Sequence, residues 1–208
     1  VLISELVNLA KYSELSGVSA KDDINAVVAF INLGLLELYG RFPIKTEEHV
    51  ISLEDGEFYY DLPKDYMYTI QAFGEVYIDF IQHAREIGIN DPQDDLSIFT
   101  TNWNKIQVPY PATGSYISLI YASKPTPVTV ETAEDGTTEL DIPFYLVDPL
   151  LHYIGYKGHL GIRSDAQSEN NAHWARFERS CNRVRNDNPS FFGDSMEMPS
   201  RIHNRGFA

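Results

Sequence analysis

The chain has 208 residues, 43% of them hydrophobic, one cysteine and a formal net charge of −14. That much apolar material excludes wholesale disorder, and one cysteine excludes an internal disulfide framework or a cysteine-rich zinc site. An acidic body repels phosphates, which disfavours sequence-specific reading of nucleic acid.

The opening residues lack a basic segment and a small-residue cleavage site, so no signal peptide is expected. From Val1 to Tyr12, Ile3, Leu6, Val7 and Ala10 recur at helical spacing and predict one amphipathic helix. Ser16-Gly17 breaks it, and Asp22 or Asp23 can cap a second helix by accepting from its free N–H groups. In that second helix Ile24, Val27, Val28, Ile31, Leu35 and Leu38 form the main face. Phe30, Leu33 and Leu36 make it apolar nearly all round, so it needs cover on several sides, and a partner subunit is one source of that cover. No uninterrupted apolar run reaches about 18 residues, so no membrane span is expected. Gly40 and Pro43 end the helix.

Strand signals follow. His49–Leu53 and Glu57–Leu62 flank Asp55-Gly56, a two-residue hairpin signature. Tyr66–Phe73 and Glu75–Ile78 read as a strand or a pair bulged at Gly74. Residues 79–88 fit helix or loop, and 88–104 reads as a loop. Lys105–Val108 and Tyr116–Tyr121 suggest a second hairpin, and Val128–Glu131 and Thr137–Asp141 flank the acidic turn Glu134-Asp135-Gly136.

The last third is helical. Asp148-Pro149 fits an N-cap with proline at the first helical position. Leu150, Leu151, Tyr153 and Ile154 supply a buried face, and Gly158 and Gly161 fray or stop the helix. Ser164 and Gln167 match a capping box. Trp174, Phe177, Cys181 and Val184 then form a seam that predicts an antiparallel pair with the preceding helix. Residues 190–208 are too rich in Pro, Gly and charge to pack alone. The expected class is therefore α+β: helices over 1–45, antiparallel β over 46–142 with an irregular excursion at 79–104, a helical pair over 143–187, and an extended tail over 188–208.

No cluster reads as a catalytic centre, so the chain is expected not to be an enzyme and to need no cofactor. His152 and His159 lie two turns apart, too far for one tetrahedral metal, and are expected to pack beside Tyr153 and Tyr156. Gly155, Gly158 and Gly161 sit within or after a helix, which is the wrong place for a phosphate loop. Carboxylate pairs such as Glu47-Glu48 and Asp94-Asp95 read as solvated charge. Cys181 fits assembly in a reducing cytoplasm. Arg176, Arg179 and Arg183 share one face of the final helix and suit either solvent or the carboxylates of a neighbouring subunit. From Trp174 onward six arginines face four acids, against the acidic remainder of the chain.

Several phrases taken in order carry a family resemblance. They are the helix from Asp23-Ile24-Asn25 to Leu35-Leu36-Glu37-Leu38, the run Tyr60-Asp61-Leu62-Pro63-Lys64-Asp65-Tyr66, and the strand Leu119-Ile120-Tyr121 leading to Pro125. Ile142-Pro143 running into Leu150-Leu151-His152-Tyr153 follows, and then Trp174-Ala175-Arg176-Phe177-Glu178. Over roughly residues 20–187 this order resembles the head-to-tail adaptor proteins of tailed phages, of the connector or tail-tubular type of short-tailed viruses.

The resemblance implies a structural virion protein forming a homo-oligomeric ring of about twelve copies. The ring would join the portal protein to a tail nozzle or tube at the portal vertex, with the β part towards the tail and the genome passing through an acidic lumen. It makes Leu150, Tyr153, Trp174 and Phe177 bundle positions in subunit packing, and makes Arg201, Arg205 and Phe207 portal-contacting residues. The rival reading is a tail-associated carbohydrate- or receptor-binding β module working through exposed tyrosines; a third is a hydrolase built on Asp, Glu and His.

Overall fold

The computed structural model describes residues 1–78, 81–93, 97–109, 115–160 and 167–187. The class is α+β, as expected, and the chain divides into two compact units. One joins Val1–Gly34 to Pro127–Ala208, and the other is Leu35–Thr126.

The first unit is helical. Helix α1 (Ile3–Tyr12) buries the four residues that predicted it: Ile3, Leu6, Val7 and Ala10. Its entrance is tied by backbone bonds, Ile3 N–H donating to Thr138 C=O at 3.0 Å and Leu140 N–H to Val1 C=O at 2.8 Å. Asp23 caps helix α2 (Ile24–Arg41) as read from the sequence, its Oδ1 accepting from the Asn25 N–H at 2.9 Å. Asn32 spends both halves of its amide on Val128, accepting from that residue's N–H and donating to its C=O, each at 2.8 Å.

The 18 residues of α2 have a mean hydropathy of 1.2, a value shared by membrane-crossing and core helices. Val27, Val28 and Ile31, with Leu35 and Leu38 beyond the unit boundary, are buried within the protein and make α2 a core helix. Leu33 and Leu36 on the other side stay 44% and 47% exposed, so the cover that the sequence calls for is incomplete among the described residues.

Residues 128–141 depart from the strand-flanked turn expected of them. Val130–Glu134 is the short helix α3, because Thr129 and Thr132 close a reciprocal capping box at its entrance. A 3₁₀ turn at Phe144–Leu146 then starts helix α4 (Val147–His159), which therefore begins two residues before Pro149. Proline is still tolerated there, since first-turn N–H groups have no helical partner. Helix α4 stops one residue after Gly158, as read from the sequence, and Gly161 lies outside the described residues. Gly158 is also a buried contact where a Cβ would lie 2.1 Å from Leu15 Cδ2, and Leu15 is itself fully buried. Gly34 serves α2 likewise, with Leu150 Cδ1 only 2.5 Å from where its Cβ would stand. Helix α5 (Gln167–Asp187) completes the unit; Ser164 of the anticipated capping box lies outside the described residues.

Among the described residues the second unit has seven strands in two antiparallel sheets. In chain order these are β1 (Thr46–Ser52), β2 (Tyr59–Asp61), β3 (Tyr66–Ile78), β4 (Ile81–Glu86), β5 (Phe99–Asn102), β6 (Lys105–Gln107) and β7 (Tyr116–Ser123). One sheet has the order β1-β7-β3-β4 and the other β2-β6-β5. Ile51, Ala72, Ile117 and Leu119 from the first sheet meet Ile106 of β6 and Ile98, the residue before β5, in a shared core.

Neither anticipated hairpin forms. The Asp55-Gly56 turn is real, with Gly56 at φ +82° and the Glu57 N–H donating to the Glu54 C=O at 3.2 Å, but β1 and β2 leave it for different sheets. Likewise β6 pairs with β2 and β5 while β7 pairs with β1 and β3. Strand β3 runs through Gly74 without a break, its irregularities falling between Tyr66 and Tyr68 and between Thr69 and Gln71. Within 79–88, where the sequence fits helix or loop, Ile81–Glu86 forms the edge strand β4, whose Gln, His, Arg and Glu residues carry little strand propensity.

Candidate functional site

Helices α4 and α5 pack antiparallel along the seam read from the sequence. Phe177 is fully buried and meets Tyr153 edge-on at 5.2 Å between ring centroids. Trp174 is only partly buried and leans on Tyr156 at 5.0 Å and on Phe177 at 5.3 Å. Lys157 Nζ sits 5.3 Å from the Tyr153 and Tyr156 ring centroids, a cation over the electron-rich faces. Leu150, Tyr153, Phe177, Cys181 and Val184 are all buried inside their own unit.

The opposite face of α5 carries Arg176, Arg179 and Arg183, all exposed. Among the described residues none of the three forms an ion pair, so their guanidinium groups face water. Apolar surface is also exposed in this unit: Leu9 and Tyr12 on α1, and Phe144 and Tyr145 in the turn before α4, with Phe144 81% exposed. Arg201, Arg205 and Phe207 lie outside the described residues.

A second constellation lies beside this aromatic seam, where three elements converge. Glu14 follows α1, His152 is on α4 and His173 is on α5. Glu14 Oε2 is 2.8 Å from His173 Nδ1 and 3.6 Å from His152 Nδ1, and the three side chains are 11–18% exposed. The two imidazoles, His152 first and then His173, outweigh the effect of burial and hold the Glu14 carboxyl down at about 2. The contacts are close enough for that attraction but misaligned or too long to close as hydrogen bonds.

His159 stacks on His173 with centroids 4.8 Å apart, and its Nε2 lies 3.1 Å from the Glu14 carbonyl oxygen. Sequence reasoning missed Glu14 and His173 because their meeting depends on tertiary packing. The one local trace is Gly155, whose missing side chain leaves room for His173 and Glu14.

In the β unit, Tyr121 is pushed up to about 12 by burial and by the nearby Asp65 and Glu47 carboxylates, so it is a neutral phenol that bridges them at 3.3 Å each. An open cleft of about 650 Å³ is lined by Tyr66, Met67, Tyr68, residues 100–103 and Lys124. Trp103 stands at its rim, 78% exposed.

The described geometry thus offers two kinds of feature: surfaces that could meet other chains, and one buried carboxylate–imidazole cluster. A comparison with curated proteins finds no match. The family model described as SU10 adaptor protein matches residues 3–197, nearly the whole chain and all the elements described above. The chain belongs to the SU10 adaptor protein family, a family of phage structural adaptors.

Proposed function

We propose that this protein forms the head-to-tail adaptor ring that joins the portal to the tail nozzle or tube and surrounds part of the DNA exit path. The observation that carries this reading is the family match across residues 3–197. The exposed surface of the helical unit supports it. In a closed ring each subunit offers one surface to the copy on its left and a different one to the copy on its right. An arginine row on α5 meeting carboxylates of the next copy would fix register through bidentate pairs. Leu150, Tyr153, Trp174 and Phe177 would act in subunit packing by holding α5 so that this row is presented correctly. The net charge of −14 suits a lumen through which DNA slides, because few cations would hold its phosphates.

The tail beyond residue 188, with Arg201, Arg205 and Phe207, is assigned to the portal contact, and the β unit to the tail side. Electron microscopy of purified protein mixed with portal tests the assignment. The expected result is rings of about twelve copies seated on portal. A chain lacking residues 190–208 should stay folded and fail to attach. Single particles beside bare portals, or full attachment by the truncated chain, would overturn the ring or the tail assignment respectively.

One observation favours a second reading for the β unit, the cleft beneath Trp103. An exposed indole beside Tyr66, Tyr68, Asn102 and Lys124 offers a stacking platform with polar groups at its edge, which suits a sugar ring. Glycan-array binding abolished by Trp103→Ala would support this receptor-binding role; no binding by the unmodified protein would dismiss it.

A further inference from the structure

We propose that Glu14, His152 and His173 form a binding site for a divalent transition metal of the zinc class. Glu14 Oε2, His152 Nδ1 and His173 Nδ1 all lie within 4.8 Å of one another. Tetrahedral zinc with nitrogen and oxygen ligands at about 2.0–2.1 Å separates its ligand atoms by roughly 3.4 Å. The two contacts to Oε2, 2.8 and 3.6 Å, bracket that spacing. Small side-chain movements would therefore complete the geometry.

Burial gives the second argument. Each of these three atoms is shielded from solvent and lacks a hydrogen bond. The three face one another at 2.8 and 3.6 Å without closing a hydrogen bond, a costly arrangement for buried polar atoms, and they share one remedy. A cation satisfies all three at once, using a carboxylate and two neutral imidazoles, a donor set suited to zinc, cobalt or nickel.

The surroundings fit ligand orientation. His152 Nε2, turned away from the cluster, lies 3.5 Å from Asp148 Oδ1 one helical turn back, the carboxylate–imidazole relation that steadies metal-binding histidines. His159 braces the His173 ring by stacking and approaches the Glu14 carbonyl. Gly155 keeps the space open: a Cβ there would stand 2.6 Å from His173 Nδ1 and 3.0 Å from Glu14 Oε2. Three protein ligands leave a fourth position for water. Drawn from the segment after α1 and from both helices of the pair, the ligands would make the ion a clamp within the helical unit.

The test uses the full-length chain, stripped with chelator and dialysed. Titration with Co²⁺ should give the visible absorption of a four-coordinate site, saturating at one ion per chain and displaced by Zn²⁺, and Zn²⁺ should raise the melting temperature. Glu14→Gln and His173→Ala should each weaken Zn²⁺ binding by roughly 100-fold or more, since loss even of an outer partner commonly costs 10–100-fold. His49→Ala in the β unit should bind as the unmodified chain does. Absence of a saturable cobalt spectrum, or undiminished zinc binding in both ligand variants, overturns the site and leaves a metal-free carboxylate–imidazole cluster. Should the variants fail to fold, X-ray absorption on the zinc-loaded wild type decides: two imidazoles and one carboxylate support the site, and any other protein ligand set overturns it.

Discussion

Replacing Phe177 with alanine is expected to destabilise the protein by about 3–5 kcal/mol, measured as a lower midpoint in denaturant unfolding followed by helical circular dichroism. Phe177 is fully buried and touches Tyr153 and Trp174 within 5.2–5.3 Å between centroids. Truncation removes an aromatic ring from between two helices that no disulfide ties together, Cys181 being the one cysteine of the chain. Among the described contacts, α5 is held on α4 by the seam of Phe177, Cys181 and Val184, by Trp174 against Tyr156 and by His173 stacked on His159, and Phe177 is the largest fully buried side chain of this set. A typical domain is stable by about 5–15 kcal/mol, which makes the loss a large share of the whole. Trp174→Ala should cost less, because that ring is only partly buried and its removal opens a groove to water instead of sealing a void. A Phe177→Ala midpoint equal to that of the unmodified chain would mean that α5 is held by something other than this seam.

The helical parts of this fold were legible because their signal is local. Ile3, Leu6, Val7 and Ala10 fall on one side of α1 by spacing alone, and Asp23 is a cap whose partner is two residues away. The α5 seam has the same character. Strand pairing carries no comparable signal. Asp55-Gly56 correctly marks a turn, but whether the strands leaving it pair with each other depends on β7, some sixty residues later in the chain, which takes β1 into one sheet while β6 takes β2 into the other. Gly158 illustrates a related difficulty. A glycine late in a helix reads as a stop, and only the buried Leu15 pressed against it shows that it is there for want of a side chain.

The candidate sites divide along the same line. The exposed arginine row could be read from i, i+3, i+7 spacing, because the apolar seam fixes which face of α5 points inward. The Glu14–His152–His173 cluster could not. Two of its members look like ordinary surface polar residues until α1, α4 and α5 are brought together, and His159, the histidine that spacing paired with His152, serves to brace the cluster from beside it.

Reversing the α5 row in a single chain (Arg176→Glu, Arg179→Glu, Arg183→Glu) is expected to abolish ring formation on portal while leaving the subunit folded. The three side chains are exposed and have no ion partner among the described residues, so the change disturbs no internal contact and should move stability by no more than about 0.5 kcal/mol per site. Assembly is different. Losing one side of a desolvated charge pair costs about 2–5 kcal/mol, and placing like charge against an acidic neighbour adds repulsion. A closed ring repeats that penalty at every junction, so even a modest loss per interface removes the closed species. Replacing the same three arginines with lysine separates charge from geometry. Lysine keeps the positive charge but cannot offer the planar two-point grip on a carboxylate, so rings should form weakly and become sensitive to salt. Negative-stain images and sedimentation profiles would read all three proteins. Intact rings from the glutamate variant would place the subunit junction elsewhere, with the exposed Leu9, Tyr12, Phe144 and Tyr145 as the next surface to change.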